Sequence, residues 1–90
     1  MLRAAAPNPF PVQTSIGFSL GIAGPVRLAI YDVGGRLVRR LLEDDRLEAG
    51  EHQQVWDGTD EGGRLAAPGV YYYRLEIPAS AATRKMLLLR

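Results

Sequence analysis

The sequence predicts an all-β fold: an antiparallel, Ig-like (fibronectin-III-like) sandwich of about seven strands. Three observations carry this expectation. Short runs of alternating apolar and polar residues are separated by Gly- and Pro-rich clusters along the chain. Its 90 residues match the size of one such sandwich. The only Trp, Trp56, and three consecutive Tyr, Tyr71 to Tyr73, flank a turn-rich loop, as aromatic anchors of a small core do.

Residues 1–14 are expected to be an extended, Pro-rich lead-in or linker, with the sandwich occupying residues 15–90. Pro7, Pro9 and Pro11 cannot donate to a β-ladder and restrict the residues before them. The lead-in reads either as a linker from an upstream domain or as a first edge segment with Phe10 capping the core. Ser15–Leu20 alternates, with Ile16, Phe18 and Leu20 on one side. Val26, Leu28 and Ile30 alternate again beyond the turn chemistry of Gly21–Pro25, which predicts a hairpin of these two strands. Asp32-Val33-Gly34-Gly35 predicts a tight turn, since both glycines tolerate positive φ.

Arg36–Leu47 reads two ways. Leu37, Val38, Leu41 and Leu42 recur at helical spacing, but a strand to about Leu42 with a bulge at Arg39-Arg40 fits the preceding turn better. Glu51–Trp56 reads as a strand with His52, Gln54 and Trp56 on one face. Gln54 on that face implies a position near an edge or a local change of register. Val70–Ile77 places Tyr71, Tyr73, Leu75 and Ile77 on the core face and Val70, Tyr72, Arg74 and Glu76 outside. Pro78–Ala81 forms the last turn and Ala82–Leu89 the last strand, antiparallel to Val70–Ile77. The core is expected to hold Phe18, Leu28, Ile30, Trp56, Tyr71, Tyr73, Leu75, Met86 and Leu88. No internal repeat, low-complexity tract or long charge run stands out.

Composition narrows the function classes. Apolar residues are 47% of the chain, which supports a folded core. A net charge of +1 gives no footprint for nucleic acid or an anionic membrane. The absence of Cys removes disulfides, thiolate nucleophiles and Cys-based metal sites. Met1–Ala6 carries no apolar h-region, so if the parent protein is exported its export signal is expected outside this chain. No apolar run reaches the roughly 20 residues of a membrane-spanning helix.

The candidate chemistry is sparse. Asp57, Asp60 and Glu61 crowd one loop, which suits either calcium or, more simply, Asx-type turn capping that structures Gly58, Gly63, Pro68 and Gly69. His52 is the only histidine, and Ser15, Ser19 and Ser80 sit in no nucleophile motif. No catalytic residue, metal site or cofactor is expected. Trp56 with Tyr71 and Tyr73 reads as a core anchor rather than a sugar-stacking platform, with the Tyr71 hydroxyl bonding loop backbone like a tyrosine corner. Tyr72 and Tyr31 are expected to face outward. Lys85 is the only Lys, expected on an exposed strand face. Met86 and Leu88 should enter the core, leaving Leu87, Leu89 and Arg90 with Lys85 and Tyr72 as a partner-contact surface.

Trp56-Asp57-Gly58, Asp60, Gly63 and Pro68-Gly69-Val70-Tyr71 with Tyr73 spell W-D-G-x-D-x-x-G followed by P-G-V-Y-x-Y. With Asn8-Pro9-Phe10, Ile16–Leu20, Ile30–Val38 and Thr83–Met86, the pattern resembles the Ig-like domain family of the flagellar hook-capping protein. It equally resembles the C-terminal sorting domains of proteins exported by the bacterial type IX secretion pathway. The resemblance spans nearly the whole chain. It departs from the family at Pro11-Val12, where Asn-Pro usually repeats, and at Gln54, where an apolar residue is usual.

The resemblance implies a non-catalytic C-terminal sorting and anchoring module of a larger secreted protein, read through residues 85–90. The implied partners are outer-membrane secretion and attachment proteins and an upstream cargo domain in the same chain. The implied location is the cell surface or medium, reached through the periplasm. A structural module of a hook-capping or scaffold protein, or an accessory carbohydrate-binding domain of a secreted enzyme, are the alternatives.

Overall fold

The computed structural model describes residues 1–90. Six strands and no helix form the fold: β1 (Thr14–Leu20), β2 (Gly24–Tyr31), β3 (Leu37–Leu47), β4 (Gly50–Trp56), β5 (Gly69–Ile77) and β6 (Ser80–Leu88). They make two antiparallel sheets, β1-β4 and β3-β2-β5-β6. The strand count is six rather than about seven. The remaining segment, the lead-in, pairs only through isolated bridges at Leu2, Ala6 and Phe10, because its prolines cannot sustain a ladder.

The expected hairpin of the first two strands does not form. β1 pairs with β4, and β2 pairs with β3 and β5, so the chain crosses between sheets at Gly21–Ala23. Alternation predicted the buried face of each strand correctly but not which strand it faces. Two strands with inward apolar faces can pair side by side or oppose each other across a core. Here Ile16, Phe18 and Leu20 of β1 oppose Val26, Leu28 and Ile30 of β2 in one cluster with Trp56, Tyr71, Tyr73, Leu75, Met86 and Leu88.

Arg36–Leu47 is strand. β3 runs to Leu47, beyond the expected end near Leu42. Its helix-like spacing comes from bulges: Leu28 pairs with Leu42 but Ala29 with Arg40, and Ile30 pairs with Arg39 but Tyr31 with Leu37. Leu41 and Val38 are the extra residues, and each shifts the side-chain phase by one position. Gln54 is half-buried on β4, an edge strand, which is where a core-side amide keeps access to water.

The lead-in lies against the sandwich. Leu2, Ala5 and Phe10 join the core, with Phe10 wholly buried. The Tyr73 hydroxyl accepts from the Ala5 N–H at 2.8 Å and donates to the Arg3 carbonyl at 2.8 Å. Phe10 packs edge-on to Trp56, with ring centroids 5.7 Å apart, and Trp56 packs edge-on to Tyr71 at 5.1 Å.

Replacing Trp56 with Ala is expected to cost about 3–5 kcal/mol. That is a large share of the roughly 5–15 kcal/mol that stabilises a domain. Urea unfolding of the variant checks this; an unshifted midpoint would contradict the core assignment.

Candidate functional site

The W-D-G loop is built by its own polar groups. Trp56 Nε1 donates to the Thr59 carbonyl at 2.8 Å, which ties the buried indole to the loop that follows it. Asp57 Oδ1 accepts from the Thr59 N–H at 3.1 Å and the Thr59 hydroxyl at 2.5 Å. Asp60 Oδ1 accepts from the N–H groups of Gly62 at 2.9 Å and Arg64 at 3.0 Å. Both carboxylates therefore act as turn caps. At the far end of the loop the Tyr71 hydroxyl donates to the Ala67 carbonyl at 2.5 Å, the tyrosine-corner bond. Trp56 and Tyr73 are fully buried and Tyr71 nearly so, so these rings form no sugar-stacking platform.

The loop also contains a repeat that the sequence reading missed. Asp60-Glu61-Gly62-Gly63-Arg64-Leu65 matches Asp32-Val33-Gly34-Gly35-Arg36-Leu37 in five of six positions. The two segments fold alike. Asp32 Oδ1 accepts from Gly34 and Arg36 at 2.9 and 3.0 Å, the same pair of bonds that Asp60 makes. In both turns the Asp N–H donates to the Arg carbonyl and the second Gly N–H to the Asp carbonyl. Only the second glycine of each pair has positive φ, 82° at Gly35 and 80° at Gly63. The period of 28 residues falls between two unrelated strands, so only a search for short exact matches would have found it.

The second turn caps the β3 edge. The Glu61 N–H donates to the Val38 carbonyl at 2.8 Å, and Glu61 accepts from the Arg40 N–H and pairs with its guanidinium at 2.8 Å. Arg39 adds bonds to the Thr59 hydroxyl and the Asp60 carbonyl. The two arginines between the bulges of β3 thus supply the side chains that hold this loop.

The C-terminal strand is organised by the lead-in. Asn8 Oδ1 accepts from the Leu87 N–H at 2.9 Å, and Asn8 Nδ2 donates to the Lys85 carbonyl at 3.4 Å. The Phe10 N–H donates to the Leu87 carbonyl at 3.0 Å and its carbonyl accepts from the Leu89 N–H at 2.8 Å. The backbone edge of β6 from Lys85 to Leu89 is closed. Met86 and Leu88 are buried, Leu87 is half-buried, and Leu89 is 46% exposed. Lys85 is exposed, and Tyr72 is half-buried opposite it on β5. Tyr31, paired with Tyr72 across β2, is half-buried too.

Arg90 is turned back onto the W-D-G loop. Its Nη2 donates to the Gly58 carbonyl at 3.2 Å. Gly58 is buried, has φ 79°, and leaves the room that this guanidinium fills. Asn8, Phe10 and Gly58 thus shape the C-terminal end, and only Asn8-Pro9-Phe10 carried a hint of it. An Asn before Pro can cap a strand edge through its side chain where the Pro nitrogen cannot donate. His52 is stacked on Phe18, and its Nε2 lies 2.7 Å from the Glu48 carbonyl, away from these residues.

Two predictions follow from this geometry. Gly63→Ala should cost about 1–2 kcal/mol, from the left-handed backbone alone, because the space around it is open. Gly58→Ala should cost more, because its Cβ would meet the Arg90 guanidinium and lie 3.1 Å from the Val12 carbonyl. Equal losses in urea unfolding would contradict the docking of Arg90.

The second concerns acid. Bonds from the Arg36 backbone lower the Asp32 pKa, and the Thr59 hydroxyl does the same for Asp57. A carboxyl held below its unfolded value stabilises the fold fully above that value, about 4. The contribution is lost as pH falls from there through the folded-state value. Melting temperature should therefore fall between about pH 5 and 3 more steeply in wild type than in an Asp32→Asn, Asp57→Asn double variant.

Residues 13–81 match the family model described as the FlgD Ig-like domain. No curated protein matches the sequence. Solved structures do. Dimeric latent PorU from Porphyromonas gingivalis gives a TM-score of 0.75 at 25% identity, over 98% of this chain and 9% of that one. PorZ, described as an essential surface component of the type IX secretion system of the same bacterium, gives 0.64 at 22% identity, over 97% and 11%. FlgD from Xanthomonas campestris, whose description concerns hook capping in flagellar assembly, gives 0.60 at 26% identity, over 96% and 62%. This chain spans about a tenth of the two P. gingivalis proteins and under two thirds of the X. campestris FlgD. With two antiparallel sheets, the capped W-D-G loop and a match over most of its length, the chain belongs to the FlgD Ig-like domain family.

Proposed function

We propose that this chain is a non-catalytic C-terminal sorting and anchoring module of a larger exported bacterial protein. Its partners are outer-membrane secretion and attachment proteins, which read the lead-in and β6 face, and its cargo is an upstream domain. It acts at the cell surface or in the medium after passing through the periplasm. The observation that carries this reading is the fit to PorU over nearly the whole chain but a small part of PorU itself. That fit extends beyond residues 13–81 and so takes in the lead-in and β6, which bond to each other here. PorZ, a surface component of a type IX system, supports the same reading through its fold. The side-chain chemistry agrees with a non-catalytic role: Asp32, Asp57 and Asp60 cap turns, and His52 has an aromatic and a carbonyl for company.

A structural module of a flagellar assembly protein is the second reading, favoured by the family match and by the X. campestris FlgD likeness. Export separates the two. Residues 1–90 are fused behind a periplasm-targeted reporter in a host with a type IX system, beside a fusion that ends at Thr83. The full fusion should reach the surface or medium, and the shorter one should stay in the periplasm. Retention of both as folded proteins would favour the assembly reading.

A further inference from the structure

Asn8 on the lead-in, Val70 on β5, and Lys85, Met86 and Leu87 on β6 line a cavity of about 270 Å³. Drug-sized ligands usually occupy about 300–1,000 Å³, so this volume suits one inserted side chain better than a cofactor. The apolar part of the wall is partly open to water: Val70 is 38% exposed and Leu87 is half-buried. Val70 and Leu87 are directly paired across β5 and β6, and Tyr72 and Lys85 form the next pair on the same face.

The way a partner can engage this place is restricted. An edge strand ordinarily recruits a further strand through its free N–H and C=O groups. At the Lys85–Leu89 end of β6 such groups are taken: Asn8 holds the Lys85 carbonyl and the Leu87 N–H, and Phe10 holds the Leu87 carbonyl and the Leu89 N–H. Strand addition at Lys85–Leu89 would have to break these bonds. Insertion of a side chain over the outer face breaks none.

Charge gives the rest of the ligand. The cations of this chain are mostly occupied by carboxylates or by backbone carbonyls. Lys85 and Arg64 alone have side chains in no ion pair or hydrogen bond, and Lys85 is the one on this wall. A flexible, exposed ammonium beside an apolar depression attracts a carboxylate next to an apolar group.

We propose that the Asn8–Val70–Lys85–Leu87 depression is a binding site for a protein partner segment that inserts an apolar side chain and sets an adjacent carboxylate on Lys85. The site is composite. The lead-in supplies one wall and the last strand the other, so it exists only in the folded domain. This rests on the recognition reading above and names its contact chemistry.

The test uses the 90-residue chain, labelled with ¹⁵N and titrated with N-acetyl-leucine, the smallest probe with both features. Saturable amide shifts are expected at Asn8, Val70, Lys85 and Leu87, with a dissociation constant of about 1–10 mM. N-acetyl-leucinamide, which lacks the carboxylate, and the Lys85→Gln variant should each bind about tenfold more weakly. Added salt should weaken N-acetyl-leucine but not the amide. Lys85 is exposed and unpaired, so its variant keeps the fold, and the unperturbed spectrum checks that. Absence of saturable shifts at these residues, or equal binding of acid and amide, overturns the proposal. Export of the full fusion without such binding removes this site and leaves the sorting reading standing. Binding without export removes the sorting reading and leaves the site.

Discussion

The burial of Trp56 is the constraint on which the rest of the structure depends. It ends β4, and its ring meets Phe10 from the lead-in on one side and Tyr71 from β5 on the other. An indole inside an apolar core must satisfy its N–H, and the loop that follows Trp56 supplies the acceptor. The Thr59 carbonyl meets that need, which fixes a tight reversal at Asp57-Gly58. Once the loop starts in that direction, Asp57 and Asp60 cap its successive turns. It then reaches the β3 edge through Glu61 and returns to β5 at the Tyr71 corner.

The same packing determines how the sheet edges are managed. Phe10 can reach Trp56 only if the lead-in crosses from β1 to the edge of β6, and that crossing carries Asn8 past Lys85 and Leu87. The first part of β3 is closed by Glu61 and its later part carries Glu43, Asp44, Asp45 and Arg46. Covering and charging are two of the ways in which β-proteins avoid unwanted pairing. A linear reading of Met86–Leu89 as an exposed apolar edge misses this, because the cover comes from the other end of the chain. What stays exposed at Lys85–Leu89 is a side-chain surface of β5 and β6.

The legible parts of this fold are those where a local rule acts alone. Alternation along Ser15–Leu20, Val26–Ile30 and Tyr71–Ile77 gave the buried faces, and those residues fill the core, with Ile77 only partly buried against it. The tyrosine corner and the Asx turns were readable because their donors and acceptors lie within a few residues of each other. What could not be read were pairings between distant segments. The partner of β1 depends on which sheet closes over the core, and local pattern is silent on that. The bulges at Val38 and Leu41 look like helical periodicity because each inserts a residue into a period of two. The surface at β6 was half legible: its apolar and cationic members stood out, while Asn8, which shapes it, fell in a lead-in that reads equally as linker or first edge segment.

The ends of the chain bear on how such a domain works within a longer protein. Met1 lies beside Ser19, near the turns at Gly21–Ala23 and Pro78-Ala79, whereas Arg90 lies on Gly58 beyond the end of β4. They sit at opposite ends of a body whose longest extent is 37 Å. The lead-in then runs the length of β1 before Asn8 and Phe10 lock the last strand. Tension or steric load applied at residue 1 therefore bears first on the Leu2 and Ala6 bridges to β1, with the Asn8–Leu87 bond behind them. Load at the Met1 end thus acts far from the Asn8–Val70–Lys85–Leu87 depression. On the sorting reading proposed above, that separation keeps the cargo end of the domain apart from the surface at β6.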